Sequence, residues 1–426
     1  MRELLILGAG TAGTMVANRL RRRLSPAEWR IRVVDSELRH FYQPGFLFLP
    51  FGIYRPNQVV RPKRRLIAAG VEVWEAAAER IDPEHRRVHL ATGQELPYDI
   101  LILATGTQPR PDQVEGMLGD DWGHRVFEFY TYEGAVRLAE RLRNWAGGRL
   151  VVHISEMPIK CPVAPLEFAF LADWWLRRRG LRDRVELIYV TPLSGAFTKP
   201  VASRVLTDLL DHKRIQVVTD FAVARVDNER HALIGWDGRE VPYDLLVTVP
   251  PNLGAAVIEL SGLGDEMNYV PTDRHTLQAQ GHSNIFVLGD ATDLPTSKAG
   301  SVAHFEAEVL TENILAQIRG NPFPARFDGH ANCFVETGFG KAILLDFNYR
   351  LEPVPGRFPL PWLGPMTLLG ESRLNHWGKL AFEWVYWHWL LPGRSIPFVR
   401  AELSMAGKVI PAGVWTPETA SSMSKR

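Results

Sequence analysis

Residues 4–24 read LLILGAGTAGTMVANRLRRRL. An apolar run, a glycine-rich turn and a helix-forming stretch predict a strand, a tight turn and a helix. Gly8, Gly10 and Gly13 stand at the G-x-G-x-x-G spacing, with Ala9 and Ala12 in the same turn. The first glycine permits the turn, the second removes a side chain that would block a pyrophosphate, and the third allows close helix–strand packing. The helix N-terminus would then offer free N–H groups to negative charge. Downstream, RIRVVDSE (30–37) is a second apolar strand ending at Asp35, placed to accept from a ribose hydroxyl. Asp35 or Glu37 is otherwise an ordinary charged residue after a strand. The agreement of these elements predicts a dinucleotide-binding unit; the competing reading is a tight turn in another α/β fold.

Outward from this unit, 426 residues at 46% hydrophobic content exceed what one core holds, so two or three domains are expected. With 49 basic and 48 acidic residues the net charge is +1, which does not indicate a dedicated nucleic-acid binder. Two cysteines cannot build a disulfide scaffold or a four-thiolate metal centre, and no metal is expected, but they suffice for one redox-active pair. The N-terminus enters a strand at once without signal-peptide features, and no apolar run reaches a membrane span. The expectation is an intracellular protein, with attachment to a membrane surface left open.

Two more stretches carry ligand-type turns. PYDILILATGTQPR (97–110) is an apolar strand ending at Ala104, Thr105 and Gly106. HSNIFVLGDATDLPTSKAGSVAHFEAEVLTENIL (282–315) gives a strand, Gly289 and Asp290, a loop and a helix. Together with the first turn they resemble the flavoprotein reductases built on two dinucleotide folds. That resemblance implies an α/β protein with tandem Rossmann-like FAD/NAD(P)-type domains. It places the FAD pyrophosphate at the N-terminal turn and Asp290 near the ribityl–phosphate region. The FAD domain is then discontinuous, residues 1–112 and 252–330, with a second Rossmann-like domain over 113–251.

In that second domain, strands over 149–155, 184–190 and 214–219 alternate with helices over 165–179 and 200–212. Its first turn reads SEMPIKCP (155–162), without glycine. Met157, Pro158 and Ile159 occupy the place of close backbone approach, and Pro158 has no N–H to donate, which disfavours tight NAD(P)H binding. Cys161 stands there instead. A lone cysteine is usually a small hydrophobe; Lys160 beside it would favour a thiolate if both faced one site, and is otherwise a solvated loop charge. The other cysteine, Cys333, lies in RFDGHANCFVETGFGKAILLDFNY (326–349), and sequence distance neither supports nor forbids their partnership.

The stretches LILGAGTAG, HFYQPGFLFLPFG, LILATGTQPR, KCPVAPLEFAFLAD, FVLGDATDLPTSKAGSVAHFEAE and ANCFVETGFGKA run in order from residue 5 to residue 342. They resemble the sulfide:quinone oxidoreductase and flavocytochrome c sulfide dehydrogenase superfamily, most nearly its two-cysteine sulfide:quinone oxidoreductases. The resemblance implies that Cys161 and Cys333 flank one face of the flavin. Sulfide would attack their disulfide, leaving a persulfide on Cys161 and a Cys333 thiolate that passes electrons to FAD. The sulfane sulfur would go to an acceptor such as sulfide, sulfite or a small thiol. Lys298 resembles a family lysine near the flavin's polar edge, where a cation stabilises developing negative charge; its plain reading is a surface lysine before a helix. Glu167 and Glu336 are candidates for protonation near the cysteines, or structural residues.

Three departures matter. Where many bacterial members carry a third cysteine, HRVFEFYTYEGA offers Phe127, Phe129 and Tyr130. HFYQPGF lacks the cysteine that links flavin covalently, so FAD is expected to be non-covalent. TPLSGAFTKP lacks a histidine present in some members.

The C-terminal region, 331–426, bears on the electron acceptor. WGKLAFEWVYWHWLL (377–391) predicts a helix too short to span a bilayer, with apolar groups on more than one face. Tryptophan and tyrosine suit a membrane interface, so a monotopic anchor over 358–400 on the cytoplasmic membrane is expected, with access to a membrane quinone. Phe347, Phe358, Trp362 and Phe382 are the quinone-site candidates. The competing readings are a packed C-terminal domain or homo-oligomer interface, a cytochrome or other protein as acceptor, and a non-catalytic sulfur-binding flavoprotein.

Overall fold

The computed structural model describes residues 1–361 and 363–410. The chain opens with β1 (Arg2–Leu7), α1 (Thr11–Arg23) and β2 (Trp29–Val34), followed by β3 (Val71–Trp74) and β4 (Ile100–Leu103). These strands pair in parallel. A parallel strand covered on both faces has no solvent side, so LLIL and ILIL show no polar alternation and are buried throughout.

The chain then builds a second sheet. Its elements are β5 (Val126–Phe127), β6 (Gly148–Ile154), α2 (Ala164–Arg178), β7 (Val185–Val190), α3 (Pro200–His212), β8 (Gln216–Val218) and β9 (Leu245–Val249). This sheet is also parallel, in the order β5-β9-β6-β7-β8. The expected strands and helices of this region fall within two residues of those observed. The chain returns with β10 (Ile285–Val287), which pairs with β4 and completes the first sheet in the order β10-β4-β1-β2-β3. The protein thus carries two Rossmann-like parallel sheets, the first assembled from strands on both sides of the second. α4 (Gly300–Ile318) follows and packs against α1.

β11 (Ala331–Gly338) and β12 (Lys341–Phe347) then form an antiparallel hairpin. With β13 (Gly356–Phe358) and β14 (Met366–Leu368) they make a sheet in the order β11-β12-β14-β13. α2 packs on β11, and α5 (Arg373–Val385) lies on β12. The helix expected to begin at Trp377 begins at Arg373, because the Ser372 hydroxyl caps it by accepting from Asn375 N–H at 3.0 Å. Its last turn widens into a π-turn over Tyr386–Leu390.

α5 is turned against the usual rule. Asn375 and Lys379 face inward and are buried, whereas Leu374, Trp377, Ala381, Trp384 and His388 form an exposed stripe at helical spacing. The second apolar face noticed in the sequence is this outward stripe. Among the described residues, no helix is long and apolar enough to cross a membrane.

Candidate active site

The glycine turn follows β1. Gly8 has φ +94°, and a Cβ there would lie 2.4 Å from the Ala104 carbonyl oxygen; one on Gly13 would lie 1.9 Å from that of Gly8. Both glycines are therefore required by packing. Gly10 differs: a Cβ there would meet nothing within 4 Å, so it looks onto open space. Asp35, after β2, accepts from Ala9 N–H at 2.6 Å and pairs with the buried Lys63 at 2.7 Å, which pins the acidic strand end to the turn. α1 and α4 both start without a side-chain cap or an acidic residue in the first turn. A Cβ on Gly300, the first residue of α4, would stand 3.9 Å from Thr11, the first of α1, so the two helix N-termini meet. Ala104, Thr105 and Gly106 close the same space, and Thr105 Oγ1 is buried there without a partner.

The second-domain turn does other work than a nucleotide turn. Cys161 has φ +48°, a left-handed conformation. Its N–H donates to the Lys298 carbonyl at 2.7 Å, and Lys160 N–H donates to Asn252 Oδ1 at 3.1 Å. The segment is therefore fastened to the 296–298 loop that precedes α4. Ser297, in that loop, has its hydroxyl 3.7 Å from Cys333 Sγ. One short loop thus holds both cysteine segments, which lie 172 positions apart, and both residues are free thiols. Cys161 keeps partial solvent access while Cys333 is buried. Burial pushes the Cys161 thiol well above its ordinary range and Cys333 up to about 11, where the Ser297 hydroxyl opposes the rise.

A buried polar chain lies within charge reach of both sulfurs. Lys379 of α5 pairs with Glu167 of α2 and donates to the Phe334 carbonyl at 3.2 Å, one residue from Cys333. Glu167 also accepts from Glu336 N–H at 2.6 Å. The Glu336 carboxylate receives His376 Nδ1 at 2.9 Å, and His376 reaches toward solvent. Burial raises both carboxyls and Lys379 opposes it. The Tyr130 hydroxyl donates to the Cys161 carbonyl at 3.0 Å. It stands in the stretch that offered no third cysteine.

Lys298 is buried, and its ammonium turns inward. It donates to the Asp290 and Thr292 carbonyls at 3.0 and 2.6 Å and stands 3.9 Å above the Tyr269 ring. It therefore braces the Gly289–Thr292 turn with its side chain and Cys161 with its backbone. Glu306 of α4 holds the same turn by accepting from Gly289 N–H, and burial raises its carboxyl to about 8. Asp290 is raised by burial against the nearby cations Lys298 and Lys160. Of the quinone-site candidates, Phe347 is buried at the end of β12, Phe358 is on β13 and Phe382 on α5. Trp362 lies outside the described residues.

Lys379, Ser297, Tyr130 and His376 escaped the sequence reading. A single lysine within an aromatic helix was the one visible signal for Lys379; the others are ordinary residues whose role comes from distant contacts.

The open space before Gly10, the two uncapped helix ends and the orphaned Thr105 hydroxyl fit a bound dinucleotide. Two parallel sheets with such a turn define a two-Rossmann dinucleotide-binding fold, in which one loop contacts both cysteine segments. The sequence profile of the pyridine nucleotide-disulphide oxidoreductase family matches residues 2–307, and the chain belongs to that family. It is 24% identical over 399 residues to the mouse mitochondrial sulfide:quinone oxidoreductase, covering 92% of this chain and 86% of the relative. The Dictyostelium discoideum mitochondrial protein of the same name is 26% identical over 407 residues, with 92% and 86% covered. The solved sulfide:quinone oxidoreductase of Aquifex aeolicus superposes with a TM-score of 0.75 at 22% identity over 92% of each chain, a likeness of fold.

Proposed function

We propose that this protein oxidises sulfide to sulfane sulfur through Cys161 and Cys333, with electrons leaving by way of FAD to a membrane quinone. The observation that carries the reading is the 296–298 loop, where the Lys298 carbonyl accepts from the Cys161 backbone, the Ser297 hydroxyl touches the Cys333 thiol and the Lys298 ammonium braces the Gly289–Thr292 turn. Gly8–Gly13, Asp35, Ala104–Gly106 and Gly289–Asp290 would hold FAD non-covalently, and bound there it would serve as the two-electron oxidant of the thiol pair. The proposed division is an FAD domain over 1–112 and 252–330, a Cys161 domain over 113–251 and a C-terminal region from 331.

Hydrosulfide attacks the disulfide at Cys161, the less buried residue of the pair. The Cys161–Cys333 bond breaks, a persulfide forms on Cys161, and the electron pair goes to the Cys333 thiolate; an acceptor such as sulfide, sulfite or a small thiol then takes the outer sulfur and leaves Cys161 as a thiolate, so that the pair can be reoxidised. The Ser297 hydroxyl and the Lys379 charge favour that thiolate against burial. Tyr130 and the Lys298 backbone hold Cys161 in place. Glu167, Lys379, Glu336 and His376 form a proton store reaching from the buried thiols to solvent.

The outward stripe on α5 supports docking on a bilayer surface and so favours quinone over a soluble acceptor. Trp377 and Trp384 are 64% and 57% exposed, and Leu363, just before β14, is 84% exposed. The test uses FAD-loaded protein, sulfide and a short-chain quinone. Anaerobic sulfide should bleach the flavin and quinone should restore its colour. Cys161→Ser and Cys333→Ser should each abolish bleaching while flavin stays bound. Full sulfide activity in either variant would sink the paired-thiol mechanism, and bleaching without recovery by quinone would point to a protein acceptor.

A further inference from the structure

A charged cavity of about 440 Å³ lies away from the thiols. It opens between the C-terminal ends of α2 and α3 and the hairpin turn joining β11 to β12. Its floor is Lys213, only 7% exposed, directly after α3. Among the described residues no carboxylate stands within ion-pair range of its ammonium and no acceptor takes a hydrogen bond from it. Its neighbours are two aromatic faces, Phe339 at 4.8 Å and Phe170 at 5.9 Å. Arg177, Arg214 and Lys341 supply three more cations around the opening.

Two carboxylates line the same cavity, and both are engaged. Asp173 accepts from Arg177 and Arg182 at 3.0 and 2.8 Å. Glu371 accepts from the Thr337 hydroxyl at 2.6 Å and lies 3.6 Å from Lys341. Arg214 lies 3.7 Å from Asp183 outside the cavity, so three of the four lining cations have a carboxylate partner and Lys213, the most buried, has none. Cations do collect at helix C-termini, but that preference is met by solvated side chains and does not require an unpaired lysine with its stem buried at the edge of a cavity. Burial lowers the Lys213 ammonium, while Asp173 and Glu371 oppose the fall from a distance.

We propose that this cavity binds a phosphate-type oxyanion group, with Lys213 as its buried contact and Arg177, Arg214 and Lys341 around it. Such a group carries the negative charge that Lys213 lacks and several acceptor oxygens for the N–H groups around it. The site is separate from the sulfur chemistry, since the five residue steps of strand from Cys333 to Gly338 span about 17 Å. Free phosphate and a phospholipid headgroup share the required chemistry. The cavity shares Glu371 with the approach to α5, whose exposed stripe begins at Leu374, so a headgroup would be reached from the same side.

The experiment uses full-length, FAD-loaded protein. Inorganic phosphate is titrated by calorimetry at fixed ionic strength against chloride, and co-sedimentation is measured with phosphatidylcholine vesicles with and without phosphatidylglycerol. Lys213→Gln should weaken phosphate affinity by about tenfold or more, the usual cost of a lost charge-assisted bond. Phosphate binding with unchanged vesicle binding identifies a free oxyanion. A phosphatidylglycerol-dependent gain that Lys213→Gln abolishes identifies a headgroup. If Lys213→Gln fails to fold, Lys341→Gln at the rim gives the same readout with a smaller loss. The proposal is overturned if wild type shows no saturable phosphate binding and no phosphatidylglycerol dependence, or if the folded variants match wild type in both.

Discussion

Replacing Lys379 by methionine tests the polar chain beneath the thiols. The ammonium is buried between Glu167 and the Phe334 carbonyl, and its charge also acts on Glu336. Methionine keeps most of the volume and removes the one ammonium whose charge acts on both buried carboxylates, leaving Glu336 only His376. Breaking a buried pair from one side costs about 3–5 kcal/mol, because the remaining charge is left without compensation. The carboxyls then escape by protonation, so the loss depends on pH. Burial already raises Glu167 and Glu336, and removing Lys379 raises them further. A carboxyl raised in the folded state takes up a proton on folding; its contribution is full below the unfolded value, about 4.3, and is lost as pH rises toward the folded one. Relative to wild type, the variant should therefore weaken by about 1.4 kcal/mol per pH unit for each carboxyl that stays protonated when folded. Urea unfolding of the FAD-loaded protein at pH 5 and pH 7, followed by tryptophan fluorescence, measures this difference. Glu167→Gln with Lys379→Met should recover much of the loss, since a neutral pair in the same space carries no stranded charge. Alkylation of Cys161 should slow in Lys379→Met, because the ammonium favours its thiolate. The reasoning is refuted if Lys379→Met unfolds like wild type at pH 7, or if its deficit does not grow with pH.

Gly10→Val should leave the protein folded, since a side chain there meets no protein atom, yet lower bound flavin by tenfold or more; full flavin absorbance in the variant would show that Gly10 does not face the cofactor. Glu306, raised to about 8, should make wild-type stability fall as pH rises from its unfolded value toward 8, by up to about 1.4 kcal/mol per pH unit. Glu306→Gln should flatten that slope in unfolding curves. Trp377→Ser and Trp384→Ser should each weaken vesicle co-sedimentation by about tenfold while leaving thermal unfolding unchanged, because each removes an exposed ring of large apolar area.

The features legible in the sequence were those set by local backbone sterics and by runs of apolar residues. The G-x-G-x-x-G turn could be read because Gly8 and Gly13 are demanded within a dozen residues by a left-handed turn and a close helix contact. The strand and helix order of the second domain followed from buried runs with punctuating turns. What stayed hidden depends on groups far apart in the chain. Cys161 and Cys333 come together through Ser297 and Lys298, and no spacing rule encodes that loop. Lys298 itself illustrates the limit: its position before a helix was visible, but the inward turn of its ammonium onto two carbonyls was not. Lys379 likewise acquires its partner only when α5 lies across β12 and meets α2. By itself the sequence determined two dinucleotide-type folds and the presence of two thiols. Only the tertiary structure decided which groups share the thiols' low-dielectric surroundings, because burial and charge pairing are properties of the assembled chain.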